Sequence, residues 1–139
     1  MYVMTMISRY PRQIVGFDVG SSVKAKTIQR IVDEAPDAQN YYTDGGMVYL
    51  DVDFIGRHRR NVRDKSDTHV IESVNADVRH YIAGLRRKSR CFFRKIETLK
   101  AVLLLFINAY NKLGDAKRRW RDCHRGCGRD FGFSHIHFV

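Results

Sequence analysis

Two acidic residues stand where metal-assisted chemistry on a phosphodiester would need them. Asp44 follows the β-forming run Tyr41-Tyr42-Thr43 and precedes Gly45-Gly46, so it ends a strand where a substrate backbone can approach closely. Glu72 lies near the start of the stretch from Thr68 to Lys88, whose apolar residues recur at helical spacing. A strand-end Asp and a helical Glu on neighbouring elements can share Mg²⁺, a hard cation that takes few protein carboxylates and keeps several waters. Two such ions about 4 Å apart activate a water or a 3′-hydroxyl and stabilise the leaving oxygen of an in-line displacement. The expectation is that the carboxyl groups of Asp44 and Glu72 converge on one pair of cations. Each also has a plain role: Asp-Gly is an ordinary turn signal, and a helical glutamate is commonly a solvated charge. Spacing alone favours the plain roles.

The stretch that carries Glu72 has two faces. Val70, Val74, Val78, Tyr81 and Leu85 form an apolar stripe with Ile71 and Ile82 at its edge. Glu72, Asn75, Arg79 and Arg86 line the opposite side, with only the small Ala76 and Ala83 between them. An acid followed by an amide and two arginines suits a metal-bound phosphodiester. The carboxylate serves the cation, and the amide and guanidinium groups serve the phosphates.

The elements that must position these residues can be taken in chain order. Tyr2–Ile7 and Gln13–Val19 read as two strands of a hairpin, turning at Ser8 to Pro11. After Gly20-Ser21-Ser22, residues Ala25, Ile28, Ile31, Val32 and Ala35 repeat with helical period until Pro36 stops the helix. Ala38–Thr43 is a short strand ending at Asp44. Gly56–Arg63 is strongly basic and reads as a surface segment. Ser66 or Thr68 can cap the Glu72 helix, and a second long helix covers Ile96–Leu113 after a break at Arg90–Arg94. Residues 1–114 thus form one α/β domain, a mixed sheet flanked by helices. Right-handed crossover puts the Asp44 strand beside the hairpin with its C-terminal end open. Residues 115–139 are basic and glycine-rich without periodicity, as in a poorly ordered tail.

Composition narrows the partner. In 139 residues, 25 Lys and Arg against 15 Asp and Glu give a formal net charge of +10, which favours a polyanion and most simply nucleic acid. Three cysteines fit a reducing cytosol better than a disulfide framework. The N-terminal residues are too short in apolar run for a signal segment, and the AVLLLFI run at 101–107 is far below membrane-spanning length.

Three blocks together resemble a known family. YYTDGGMVY, HVIESVNADVRHYIAGLRRKSRCFFRK and LFINAYNK are similar to the DDE transposase of the insertion-sequence-one type, over roughly residues 2–113. The resemblance implies a ribonuclease-H-like fold that cuts and joins DNA with three acids and two Mg²⁺ ions, in the bacterial cytosol. It implies that Asp44 is the second acid and Glu72 the third. Asn75, Arg79, Arg86 and Lys88 match the motif around the glutamate, and with Arg87 they would hold DNA. Element ends and target DNA would be the partners, with a homo-oligomer or an accessory reading-frame product beside them. In that fold the first acid lies on the first strand of a three-strand meander ahead of the helix. Only two strands precede the helix here, so the hairpin corresponds to the second and third strands and the first, with its acid, is expected to be missing. Asp18 is the substitute within the chain, although it falls on the third strand.

Other readings compete. FDVGSSVKAK resembles the phosphate loop of actin-like ATPases, but the helical period after it and the short chain speak against that architecture. Arg57, Arg59, Arg60 and Arg63 with the Arg86–Lys95 cluster could simply neutralise phosphates, making the chain a catalytically inactive DNA-binding module derived from a transposase. Cys123, His124, Cys127, His135 and His137 have spacing too loose for an ordinary zinc site. Cys91, His69 and Trp120 have packing or surface roles as their plain readings.

Overall fold

The structure, a computed structural model, describes residues 1–9, 11–61, 69–85, 93–123 and 133–138. Strands β1 (Tyr2–Ser8) and β2 (Gln13–Gly20) form the expected antiparallel hairpin. The register shifts between Met6 and Ile7, leaving Val15 as an extra residue in β2, which is a β-bulge that bends and twists the pair. Helix α1 (Ala25–Glu34) follows, then β3 (Asn40–Asp44), a 3₁₀ turn at Met47–Asp51, and β4 (Arg57–Asn61). Helix α2 spans His69–Tyr81, a short 3₁₀ turn Ala83–Leu85, helix α3 Ile96–Cys123 and strand β5 Phe133–Phe138.

Two two-stranded units make the sheet. The hairpin is one; β3 and β4 pair in parallel as the other. β5 lies between them, antiparallel to β1 and parallel to β3, so the strand order is β2-β1-β5-β3-β4. Helices cover both faces of this mixed α/β domain. On one side Met4 and Met6 of β1, Ile28, Ile31 and Val32 of α1, and Tyr41 and Tyr49 form a core. On the other Val3, Ile7, Ile14 and Val19 pack under Val70, Ile71, Val74 and Val78 of α2 and Leu99, Leu103 and Ile107 of α3. The alternation along β1 between these cores follows from the two-residue period of a strand. Each such fully buried side chain contributes about 1.5–3 kcal/mol.

Two side chains finish the outer strand β2. The amide of Asn111 accepts from the Ile14 N–H at 3.0 Å and donates to the Ile14 carbonyl at 2.9 Å, occupying groups that an edge strand leaves open. Asp18 reaches both layers, with ion pairs to Arg30 on α1 and to Lys100 on α3, the latter at 2.7 Å.

Several expectations shift. Gly56–Arg63 is not only surface: its first residues form β4, an edge strand, where charged side chains are tolerated. Regular structure does not stop at Gly114. α3 runs on to Cys123, since Asp115, Ala116 and Lys117 to Arg119 include no proline and a single helical glycine costs only about 1 kcal/mol. Residues Phe133–Phe138 join the sheet as β5. The Glu72 helix ends at Tyr81 rather than Lys88, and Tyr81, expected in the apolar stripe, is 69% exposed. Ser66, Thr68, Arg63, Arg86, Arg87, Lys88, Cys91, His124 and Cys127 lie outside the described residues. Among the described residues no helix is long and apolar enough to cross a membrane.

Candidate functional site

Asp44 is the last residue of β3 and pairs with Asn61 on β4. One step back, Thr43 pairs with Ile136 of β5; the next β5 residue, His137, pairs with Thr5 of β1. Asp44 and Thr5 therefore share one cross-sheet row, two strand spacings or about 10 Å apart. Tyr41 belongs to the α1-side core, as do Met4 and Met6, so alternation assigns the positions of Asp44 and Thr5 to the α2 side of the sheet. Over this row, the buried Thr5 hydroxyl donates to Oδ1 of Asn75 on α2 at 3.4 Å. Glu72 precedes Asn75 by one helical turn, about 5 Å along the axis, and is exposed. By position Asp44 and the helix that bears Glu72 lie on one side of the sheet, but the Asp44 carboxylate turns back onto its own turn, at the Gly46 N–H and near Tyr49 of the α1-side core.

The turn after Asp44 is pinned at two points. Asp44 Oδ1 accepts the Gly46 N–H at 3.0 Å, and the Arg60 guanidinium donates to the Gly45 carbonyl. A methyl group at Gly46 would stand 3.0 Å from that carboxylate oxygen and 3.2 Å from the Tyr49 ring. Glycine is needed here by the crowding of the turn itself, whatever approaches from outside. Burial, and secondarily the Asp44 charge, raise the pKa of Tyr49, so its phenol keeps its proton.

Asn75 corrects the sequence reading. It is 2% exposed and faces the sheet, so it does not stand in the outer row with Glu72 and Arg79. The reason is periodicity: Ile71, Asn75, Val78 and Ile82 recur at four, three and four residues, all buried. Asn75 supports the row from within and is no outward phosphate ligand. Arg79 is half-buried, seven positions after Glu72 on α2.

Asp18 does not complete the pair. It sits on β2, three strand spacings or about 14 Å from β3, and its position pairs with Met4, on the α1 side. Burial works to raise its pKa. The Lys100 hydrogen bond, the Val19 N–H and the charges of Lys100 and Arg30 outweigh that and hold it below its ordinary value. Its lone pairs are committed to structure. Among the described residues no three His, Cys, Asp or Glu side chains gather to hold a metal.

Sequence reasoning passes over Thr5 and reads Arg60 only as a phosphate-neutralising charge, whereas its guanidinium holds the Gly45 carbonyl. Thr5 carried a signal, a lone hydroxyl inside an apolar strand; Arg60 carried none beyond its place in a basic run. The chain matches no family model, no curated protein and no solved structure.

Proposed function

We propose that this chain is the ribonuclease-H-like strand-transfer core of an insertion-sequence transposase, acting on DNA. The observation that supports the reading is the cross-sheet row of Thr5 and Asp44, whose Thr5 end meets Asn75: the position of a strand-end aspartate and the helix that bears Glu72 share one side of a mixed sheet. The strand order also supports it. β5 is antiparallel to β1 and stands beside the hairpin, where the first strand of the meander lies in that fold.

Asp44 and Glu72 would hold Mg²⁺, an ion that accepts two carboxylates and completes its shell with water and substrate phosphate oxygens. Held there, the cation would supply positive charge for phosphodiester hydrolysis and for attack by the freed 3′-hydroxyl on target DNA. Asp44 contributes a carboxylate fixed by the Gly46 N–H, and Glu72 one on the exposed face of α2. Asn75 holds α2 to the sheet through Thr5. Arg79 stands where a phosphate can meet it, with Arg86, Arg87 and Lys88 beyond it in sequence. A second copy, or an accessory reading-frame product, would complete the assembly.

A second reading is an inactive DNA-binding module. It is favoured by one observation: β5, in the slot of the first strand, is Phe-Ser-His-Ile-His-Phe and carries no acid. Nicking of supercoiled plasmid with Mg²⁺ or Mn²⁺ separates the two. The transposase reading expects metal-dependent nicking that Asp44→Ala and Glu72→Gln each abolish. DNA binding without nicking, unchanged by either substitution, gives the module.

A further inference from the structure

The strand β4 reads Arg-His-Arg-Arg-Asn, four cationic or titratable side chains in a row, and strand alternation sorts them. His58 turns to the α1 side: its ring bonds the Thr43 hydroxyl at 2.8 Å and stacks on Phe54, with centroids 4.3 Å apart. Arg60 turns the same way and is spent on the Gly45 carbonyl and the Met47 sulfur. Arg57 and Arg59 are left on the opposite face, the face of Asp44, and both are exposed.

Their setting is the point. β4 is the outer strand among the described residues, none of which lies beyond it in the sheet. Arg57 and Arg59 are two residues apart, about 6.8 Å along the strand, and neither has an ion-pair partner among the described residues. Arg59 pairs with Tyr42, and Asp44 pairs with Asn61, so the second arginine stands about 8 Å diagonally from Asp44. Two exposed guanidinium groups in line, without an ion-pair partner among the described residues, complement a polyanionic backbone on a chain of net charge +10, and each fork fits a phosphate.

We infer that Arg57 and Arg59 form a rail on the edge strand that seats the sugar-phosphate backbone of DNA beside Asp44. This rests on the DNA-handling reading above and deepens it: the strand being handled lies across β4 and reaches Asp44 from that side. The rail carries no base selectivity, because both contacts are to phosphates.

The test is binding of the full chain to a fluorescent duplex in EDTA, over a series of salt concentrations, so that catalysis plays no part. Each phosphate contact contributes about 0.9 to the slope of log K against log salt. Arg57→Ala/Arg59→Ala is expected to lower that slope by about 2 with unchanged melting temperature. Lys24→Ala/Lys26→Ala removes the same charge from the α1 side, where both lysines are exposed, and is expected to leave the slope near that of the parent. Equal loss in both variants shows a net-charge effect and overturns the rail. An unchanged slope in the arginine variant, or no DNA binding by the parent, overturns it as well. Nicking that fails while the arginine variant alone loses slope leaves the rail standing and sinks the transposase reading.

Discussion

The Thr5 hydroxyl and the Asn75 amide oxygen meet at 3.4 Å in the core, joining a hydroxyl inside the apolar run of β1 to the buried side of α2. Both residues are buried, Thr5 at 0% and Asn75 at 2% exposure, so neither has water to fall back on. Asn75→Ala leaves a hole and a deserted hydroxyl. It should lower unfolding free energy by about 1–3 kcal/mol in urea. Thr5→Val alone should cost less, and a double-mutant cycle should return a coupling of about 0.5–1.5 kcal/mol. A coupling of zero would mean that the Thr5–Asn75 contact does not help to hold α2 on the sheet.

Asp44→Asn separates charge from geometry. An amide oxygen can still accept the Gly46 N–H, so the turn and the fold should survive. Divalent-ion-dependent nicking should disappear, and the melting temperature should move by no more than a few degrees. A variant that nicks at the parental rate removes Asp44 from the chemistry.

Asp18 predicts an acid limb in the stability profile. Its folded pKa lies below the ordinary 3.8, so the unfolded chain binds its proton more readily. The contribution is complete above the unfolded value and is lost as pH falls through the folded one. Melts between pH 5 and pH 2 should show this loss, and Asp18→Asn should flatten it. At neutral pH the substitution should cost about 1–2 kcal/mol, modest because Arg30 and Lys100 are 56% and 42% exposed and already partly screened.

His58 works in a higher window. Burial first, and the Arg60 charge second, lower its pKa below 6.5, so folding prefers the neutral ring. Its contribution is complete above pH 6.5 and is lost as pH falls through the lowered folded value. Stability should therefore decline below pH 6.5, and His58→Gln should remove that part of the decline. An identical slope in the variant would assign the effect elsewhere.

Gly16 tests how closely α1 sits on the hairpin. A Cβ there would lie 2.7 Å from Ile31 Cγ2 and 3.4 Å from the Ile31 carbonyl. Gly16→Ala should destabilise by about 1–3 kcal/mol, the usual cost of overpacking. Gly16→Ala/Ile31→Leu removes the Cγ2 branch that the new methyl group meets and should recover part of it.

Much of this molecule is legible in its residues, and the misses have physical causes. Alternation in β1 and β2, the period of α1 and the proline after it, and the strand run into Asp44 are all strong local signals, and the structure carries them within a residue or two. β4 hid because its composition is that of a loop; only its place at the sheet edge makes a charged strand stable. β5 hid because six residues among glycine and arginine have no helical or long alternating pattern, and pairing with β1 and β3 decides their shape. Asn75 reads as outward because a polar amide suggests solvent. Its position four residues after Ile71 was the better guide. Asp18 looked like a metal ligand, and nothing local foretells that Arg30 and Lys100 come from two different helices to meet it.

The central position of β5 has a consequence for how the chain comes together. At ordinary ribosomal speeds of about 5–20 residues per second, roughly 5–20 s pass between the making of Asp44 and of Phe133. During that interval the hairpin and the β3–β4 pair each present a bare inner edge with no strand yet made to join them. A nascent chain held in that state is a natural client for a chaperone, and any stop before residue 133 leaves two half-sheets that have nothing to zip them shut.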